Sequence, residues 1–323
     1  MSKLAKIVAF IEVLVICLIA FDLVKKLKST STTSQINTAA LRKEDLIFPK
    51  NEQFKYYFTL TPENTIERVR PWDQTVSQET INKDGLNDRF DYQEEKPANT
   101  VRIITLGDSF TYGLFVDTKD NWPEVLEDIL PQANLCQESK RYEVINLAMP
   151  GFDIPYLAKR YKDIGKKYHA DLIIWFESGT GYTRNYEKMR PLIDSCDENL
   201  KNGVIPSKEF VGCWREARDN LINQMTLVGL QNELKGAMES FLTEMGDTPV
   251  IFATFTDDHD IEYSFFNTFA RQPNIYLTNA VKDINHGGGV FPDYHPNQQG
   301  HKNIASDIFN YLYNNQRKLF CEK

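Results

Sequence analysis

Short continuous apolar runs alternate along this chain with stretches whose apolar positions recur every three or four residues. Val101–Leu106 (VRIITL) is unbroken and stops at Gly107, which predicts a strand covered on both faces. Asn121 then caps a helix that runs to Leu130, with Pro123 in its first turn and Val125, Leu126 and Ile129 on one side. Tyr142–Asn146 (YEVIN) predicts a second strand, closed by Met149-Pro150-Gly151, and Ile154, Leu157, Tyr161 and Ile164 follow at helical spacing. Leu172–Phe176 (LIIWF) is a third strand and residues 215–245 are mostly helical. Val250–Ala253 and Asn274–Leu277 are strands four and five, and Ile304, Ile308, Phe309 and Leu312 stripe a last helix. Strands separated by helical patterns imply parallel βαβ units. The expected class is therefore α/β, a three-layer α/β/α arrangement around a parallel five-stranded sheet. Ligands on such sheets bind at the carboxyl ends of the strands.

The amino end reads differently. Ile7 to Val24 (IVAFIEVLVICLIAFDLV) is interrupted only by Glu12 and Asp22, and at 1.5 Å per residue it reaches about 27 Å, near the thickness of a bilayer's hydrocarbon core. Asp22 lies near the end, within reach of headgroups; Glu12 is costly there unless protonated or paired. This predicts a single N-terminal transmembrane helix within an anchor at residues 1–28. A cleaved signal peptide is the alternative, but the exit Phe21-Asp22-Leu23-Val24-Lys25-Lys26 offers no small-x-small cleavage site. A lipoprotein site at Cys17 is disfavoured by bulky Ile16. Lys3 and Lys6 precede the span and Lys25, Lys26 and Lys28 follow it, so charge does not decide its orientation. Residues 29–45, opening STSTTSQINTAALR, read as a flexible stalk. Residues 46–100 are expected to form an N-terminal extension packed on the main domain at 101–323.

Composition narrows the function classes. Of 323 residues, 41% are hydrophobic and 25% charged, as in an ordinary folded protein. A net charge of −8, with no basic block beyond the first 28 residues, argues against a nucleic-acid partner. With Cys17 in the span, Cys136, Cys196, Cys213 and Cys321 remain. An even set without a C-x-x-C pair favours disulfides in an oxidising, extracytoplasmic compartment over a zinc site, with free buried thiols as the alternative. Cys196 and Cys213 bracket a polar stretch they would close; Cys136 and Cys321 would pair if the last helix packs beside the first. His259, His286, His295 and His301 lack metal-ligand spacing, so neither a metal nor another cofactor is expected. Nothing in the sequence indicates an oligomeric state.

The chemistry concentrates after the strands. Strand one runs into Gly107-Asp108-Ser109-Phe110-Thr111-Tyr112-Gly113, and the last helix is preceded by Asp293-Tyr294-His295-Pro296-Asn297-Gln298-Gln299-Gly300-His301. A serine at a strand-to-helix turn is lifted out of the sheet. Its hydroxyl becomes a nucleophile once a base takes the proton, for which His295 is the candidate. Asp293 would hold the other ring nitrogen. The backbone N–H groups of Ser109 and Gly151 would face an oxyanion. His301, one turn into the last helix, reads as a capping or packing residue.

These blocks, with Asn121-Trp122-Pro123, Asn146-Leu147-Ala148-Met149-Pro150-Gly151 and the lead-in Ile81-Asn82-Lys83-Asp84-Gly85, resemble the SGNH, or GDSL, hydrolase superfamily over about residues 79–315. The resemblance implies a flavodoxin-like fold and serine ester hydrolysis. Two departures stand out. The acid position three residues before the histidine is Pro292; Asp293 is two before and would reach the ring if the segment is extended, with Asp257 or Asp258 as fallback. The Asn-Asp that members carry after strand three, whose Asn serves the oxyanion, is replaced by Glu177-Ser178-Gly179-Thr180-Gly181-Tyr182. Thr180 lies nearest the missing Asn, with Ser178 or Asn185 as substitutes. Residues 177–220 form an insertion expected to act as a lid or substrate wall. Its aromatics and a strand neighbour, Trp175, Tyr182, Tyr186 and Trp214, either stack on a sugar or pack the core. The combined expectation is a membrane-anchored serine esterase acting on an acyl ester, with an acetylated cell-surface glycan suggested by the anchor and by family habit. A carbohydrate O-acyltransferase using the same serine, or a non-catalytic glycan- or partner-binding member, are the alternatives.

Overall fold

The computed structural model describes residues 43–133, 135, 140–179, 181–201, 210–255, 261–281 and 283–321. The anchor expected at residues 7–24 and nearly all of the stalk lie outside these residues, as do Cys136, Thr180, Asp257, Asp258 and His259. Among the described residues no helix is long and apolar enough to cross a membrane.

Leu41–Lys323 forms one unit that includes the extension. The extension contributes two small antiparallel pairs, β1 (Leu46–Ile47) on β2 (Thr59–Leu60) and β3 (Asn64–Val69) on β4 (Val76–Ile81). Alternate residues of a strand face opposite sides, so β4 exposes Val76, Gln78 and Thr80 and buries Ser77, Glu79 and Ile81. The buried Glu79 is paired with the Arg68 guanidinium of β3 and accepts the Tyr112 hydroxyl at 2.7 Å. A buried carboxylate is tolerable only with such partners. Tyr112 ends α1 (Ser109–Tyr112), so this pair fastens the extension to the turn that carries Ser109.

Five parallel strands follow: β5 (Thr100–Leu106), β6 (Arg141–Asn146), β7 (Leu172–Glu177), β8 (Val250–Thr254) and β9 (Ile275–Thr278). Their order in the sheet is β6-β5-β7-β8-β9. Both faces are apolar because both are covered. Val101, Ile103, Val144, Ile174, Phe176 and Ile251 meet Leu126 of α2 (Trp122–Ile129) and Ile304, Ile308 and Leu312 of the last helix. Ile104, Ile145, Ile173, Trp175 and Phe252 meet Leu157 of α3 (Ile154–Arg160) and residues of the helical region 186–245. These are the three layers and the flavodoxin-like strand order expected. Numbering the parallel strands one to five along the chain, the order 2-1-3-4-5 reverses direction between strands one and three, so the crevice for a ligand opens beyond the carboxyl ends of β5 and β7.

The stretch 177–220 is more helical than its polar composition suggests. It contains all of α4 (Tyr186–Lys201) and most of α5 (Phe210–Met225), ahead of α6 (Leu227–Met245). Tyr186, Met189, Ile193 and Cys196 form a buried stripe at helical spacing. Pro191, inside α4, masks that pattern in the sequence. Cys196 and Cys213 are joined in a disulfide with Cα atoms 5.6 Å apart. Cys321 is disulfide-bonded as well. A short helix α7 (Ile261–Asn267) precedes β9, and α8 (Gln298–Asn314) closes the fold, its first turn capped by the Asn297 side chain.

Candidate active site

Gly107 ends β5 because nothing larger fits: a Cβ there would lie 2.2 Å from Thr111 Oγ1 and 2.7 Å from the Phe176 carbonyl. The chain then turns into α1, with Asp108 as its cap. Asp108 Oδ1 accepts the Phe110 N–H at 3.0 Å. Ser109 is thereby the first residue of a helix at the carboxyl edge of the sheet, half-buried. The second block runs beside it. Met149 N–H donates to the Gly107 carbonyl at 3.2 Å, and Asn146 Nδ2 donates to the Thr111 carbonyl at 3.2 Å. Gly151 follows at φ +77°, in the region that favours glycine.

His295 arrives from 186 residues downstream, and its Nε2 stands 2.8 Å from Ser109 Oγ. Its Nδ1 is 2.9 Å from Asp293 Oδ2. The ring packs against Phe110 and Phe115, with centroids at 5.2 and 5.8 Å. Asp293 reaches the imidazole by a route other than an extended segment. Tyr294 sits at φ +70°, which folds the chain back, so that Asp293 Oδ1 also accepts the His295 N–H at 3.2 Å. Phe291 N–H closes the turn on the His295 carbonyl at 2.8 Å. One carboxylate thus holds both the backbone and the ring of the same histidine. Tyr294 itself points away and is 77% exposed.

The extension supplies part of the wall, a contact that no local pattern in the sequence signals. The Trp72 ring packs on Phe115 and Phe291 at 5.0 and 5.1 Å, and Arg70 Nε donates to the Phe115 carbonyl at 3.1 Å. Trp72 lies in a loop without periodicity, where only its size marks it.

After the third parallel strand, Glu177 is buried and takes the Gly181 N–H at 2.7 Å. Burial, with the Asp108 charge nearby, pushes its carboxyl up to about 7. Ser178 spends its proton on Asp108 Oδ2 at 2.5 Å. Arg184 Nη1 donates to the same oxygen at 3.2 Å. Asn185 turns elsewhere: its Nδ2 donates to Glu233 and its Oδ1 accepts from Lys188 N–H. Asp153, just past Gly151, accepts the Tyr156 and Tyr186 N–H groups and ties the turn at Gly151 to α4. Burial raises it to about 6. Of the aromatics expected to stack or pack, Trp175 is core, against Phe241 and Phe252. Tyr186 is buried and stacked on Trp214 at 5.6 Å, and Trp214 lies against Gly151.

His301 is fully buried. Its Nδ1 accepts the Trp122 N–H at 3.2 Å, and burial lowers its pKa to about 3, so it is neutral and bridges α8 to α2. No group of three candidate ligands for a metal occurs among the described residues. A cleft of about 670 Å³ lies among Phe54, Tyr156, Asn185 and Glu233 and does not include Ser109 or His295.

No protein-family model matches the chain, and no curated relative does. Among solved structures it is similar to an acetylxylan esterase from Geobacillus stearothermophilus, at 12% identity and TM-score 0.41, covering 66% of this chain and 94% of that one. It is also similar to a lipase/acylhydrolase from Enterococcus faecalis (14%, 0.39, 66% and 96%). A third is a family 3 carbohydrate esterase from Clostridium thermocellum (16%, 0.38, 68% and 98%). Identities of 12 to 16% and TM-scores near 0.4 transfer neither substrate nor mechanism to this chain.

Proposed function

We propose that this chain is a serine ester hydrolase of the SGNH type. The observation that carries the reading is the run of contacts from Ser109 Oγ to His295 Nε2 at 2.8 Å and from His295 Nδ1 to Asp293 at 2.9 Å, at the carboxyl ends of the strands. A hydroxyl, an imidazole and a carboxylate in that sequence are what nucleophilic acyl transfer requires. Ser109 Oγ attacks the ester carbonyl while His295 Nε2 takes its proton. Asp293 keeps the ring turned toward the serine and stabilises the imidazolium. The tetrahedral oxyanion is met by the backbone N–H groups of Ser109 and Gly151. Collapse expels the alcohol, which takes the proton from His295. Water then attacks the acyl-enzyme by the same path, and the acid leaves with Ser109 restored.

The substrate in this reading is an acyl ester, and an acetylated cell-surface glycan suits an enzyme tethered at a membrane. The apolar run 7–24 supports a membrane anchor. The disulfide-bonded Cys196, Cys213 and Cys321 support an oxidising, extracytoplasmic location for the globule. The test uses the full chain in detergent. A fluorophosphonate probe is expected to label the wild type and not Ser109→Ala, and p-nitrophenyl acetate hydrolysis is expected to vanish in Ser109→Ala and His295→Ala. Equal labelling of the wild type and Ser109→Ala rejects the nucleophile.

A further inference from the structure

Two backbone N–H groups leave an oxyanion site one donor short of the three that a side chain after strand three would complete. Among the described residues, the side chains close to that place differ in what they have left to give. A serine hydroxyl carries one proton, and that of Ser178 already lies on Asp108 Oδ2 at 2.5 Å. Asn185 is committed to Glu233 and to its own helix start. Arg184 is different. A guanidinium has five N–H donors in a rigid fork, and the contact to Asp108 at 3.2 Å uses one.

Position supports the same residue. On one side Arg184 touches Asp108, the residue directly before Ser109. On the other its guanidinium stands 6.0 Å over the ring of Trp214, whose Cη2 lies 3.1 Å from where a Cβ of Gly151 would be. The cation is thus anchored on the residue before Ser109 and stands near the ring that packs on Gly151. It is held there by the carboxyl groups around it: Asp108 by direct contact, and Glu177 and Asp153 through charge. Its side chain keeps 23% exposure, so the fork is not sealed in the core.

We infer that Arg184 is a catalytic residue of this site, donating from its guanidinium to the oxyanion in place of an asparagine. The inference rests on the ester-hydrolase reading above. A full positive charge beside a developing negative one is worth more in the tetrahedral state than in the neutral ester, so its effect falls on kcat. It adds no proton transfer; Arg184 stays protonated throughout.

The experiment compares wild type, Arg184→Lys, Arg184→Met and Arg184→Ala as full chains on p-nitrophenyl acetate, with phenylboronic acid as a tetrahedral mimic on Ser109. Arg184→Met is expected to lose about a hundredfold or more in kcat with KM little changed. Its affinity for the boronate should fall in step. Arg184→Lys keeps the charge without the fork and should fall between the two. Arg184→Ala should regain activity when tens of millimolar guanidinium, but not potassium, chloride is added. An unchanged kcat and boronate affinity in Arg184→Met, or a loss confined to KM, overturns the inference while the esterase reading stands. If Arg184→Met misfolds, Arg184→Lys and the guanidinium rescue decide: a wild-type rate in the lysine variant, or no rescue in the alanine variant, overturns it. A wild type with no Ser109-dependent turnover overturns both.

Discussion

The turn Asp293-Tyr294-His295 offers the sharpest test of how this chain positions the proposed base. Asp293 can hold both the backbone N–H and the ring of His295 only because Tyr294 adopts φ +70°. For a residue with a Cβ the left-handed region costs roughly 1–2 kcal/mol. Glycine removes that cost, and asparagine reduces it. Glycine also adds unfolded-state freedom worth about 0.4–1 kcal/mol, so the two nearly cancel and Tyr294→Gly should change stability by less than about 1 kcal/mol. A β-branched residue meets a higher barrier, because it tolerates positive φ least of all. In Tyr294→Val a further cost of about 1.4 kcal/mol would reduce the formed turn tenfold relative to its open alternatives. Tyr294 is 77% exposed and packs on nothing essential, so the effect reports backbone conformation rather than lost contacts. The assay is kcat and KM on p-nitrophenyl acetate beside urea unfolding. Tyr294→Asn and Tyr294→Gly should keep kcat within about threefold, and Tyr294→Val should lose more, up to about tenfold, at similar KM. A valine variant with wild-type kcat and stability would show that the left-handed turn is not what aligns Asp293.

Other expectations follow from the same geometry. Burial raises the Glu127 carboxyl to about 7, where it accepts from Tyr92 and the Val144 N–H, so the fold favours its protonated form. Its contribution is complete below about pH 4.5 and is lost as pH rises toward 7, on the order of 3 kcal/mol. Glu127→Gln should flatten that part of a melting-temperature profile between pH 5 and 8, and an unaltered slope would contradict it. Cys196 and Cys213 are 17 positions apart, so Cys196→Ser with Cys213→Ser should cost about 3 kcal/mol in urea unfolding by loop entropy; a loss below about 1 kcal/mol would show that the helices hold the loop without the bond. Gly151→Ala places a Cβ 3.1 Å from Trp214 at φ +77°, and the displaced N–H should lower kcat at least tenfold while a melting curve moves little. A preserved kcat would remove Gly151 from the oxyanion site.

Much of this protein is written locally. Each buried strand is a continuous apolar run, because a sheet covered on both faces has no polar side to interrupt it. The helix starts at Asn121 and Asn297 follow from a side chain that caps its own backbone a few residues on. Ser109 and His295 were legible for a similar reason: each sits in a turn whose neighbours, Gly107 and Asn297, set the local geometry. Asp293 was legible as a partner, but not the way it reaches the ring, since a positive φ at Tyr294 has no signature in a tyrosine. What no local pattern holds is which distant segments meet. That Trp72 walls the histidine, that Trp214 lies on Gly151 and that Arg184 grips Asp108 depend on contacts across tens to hundreds of residues. Such contacts are chosen by the packing of whole layers, which a one-dimensional pattern of apolar and polar residues does not encode.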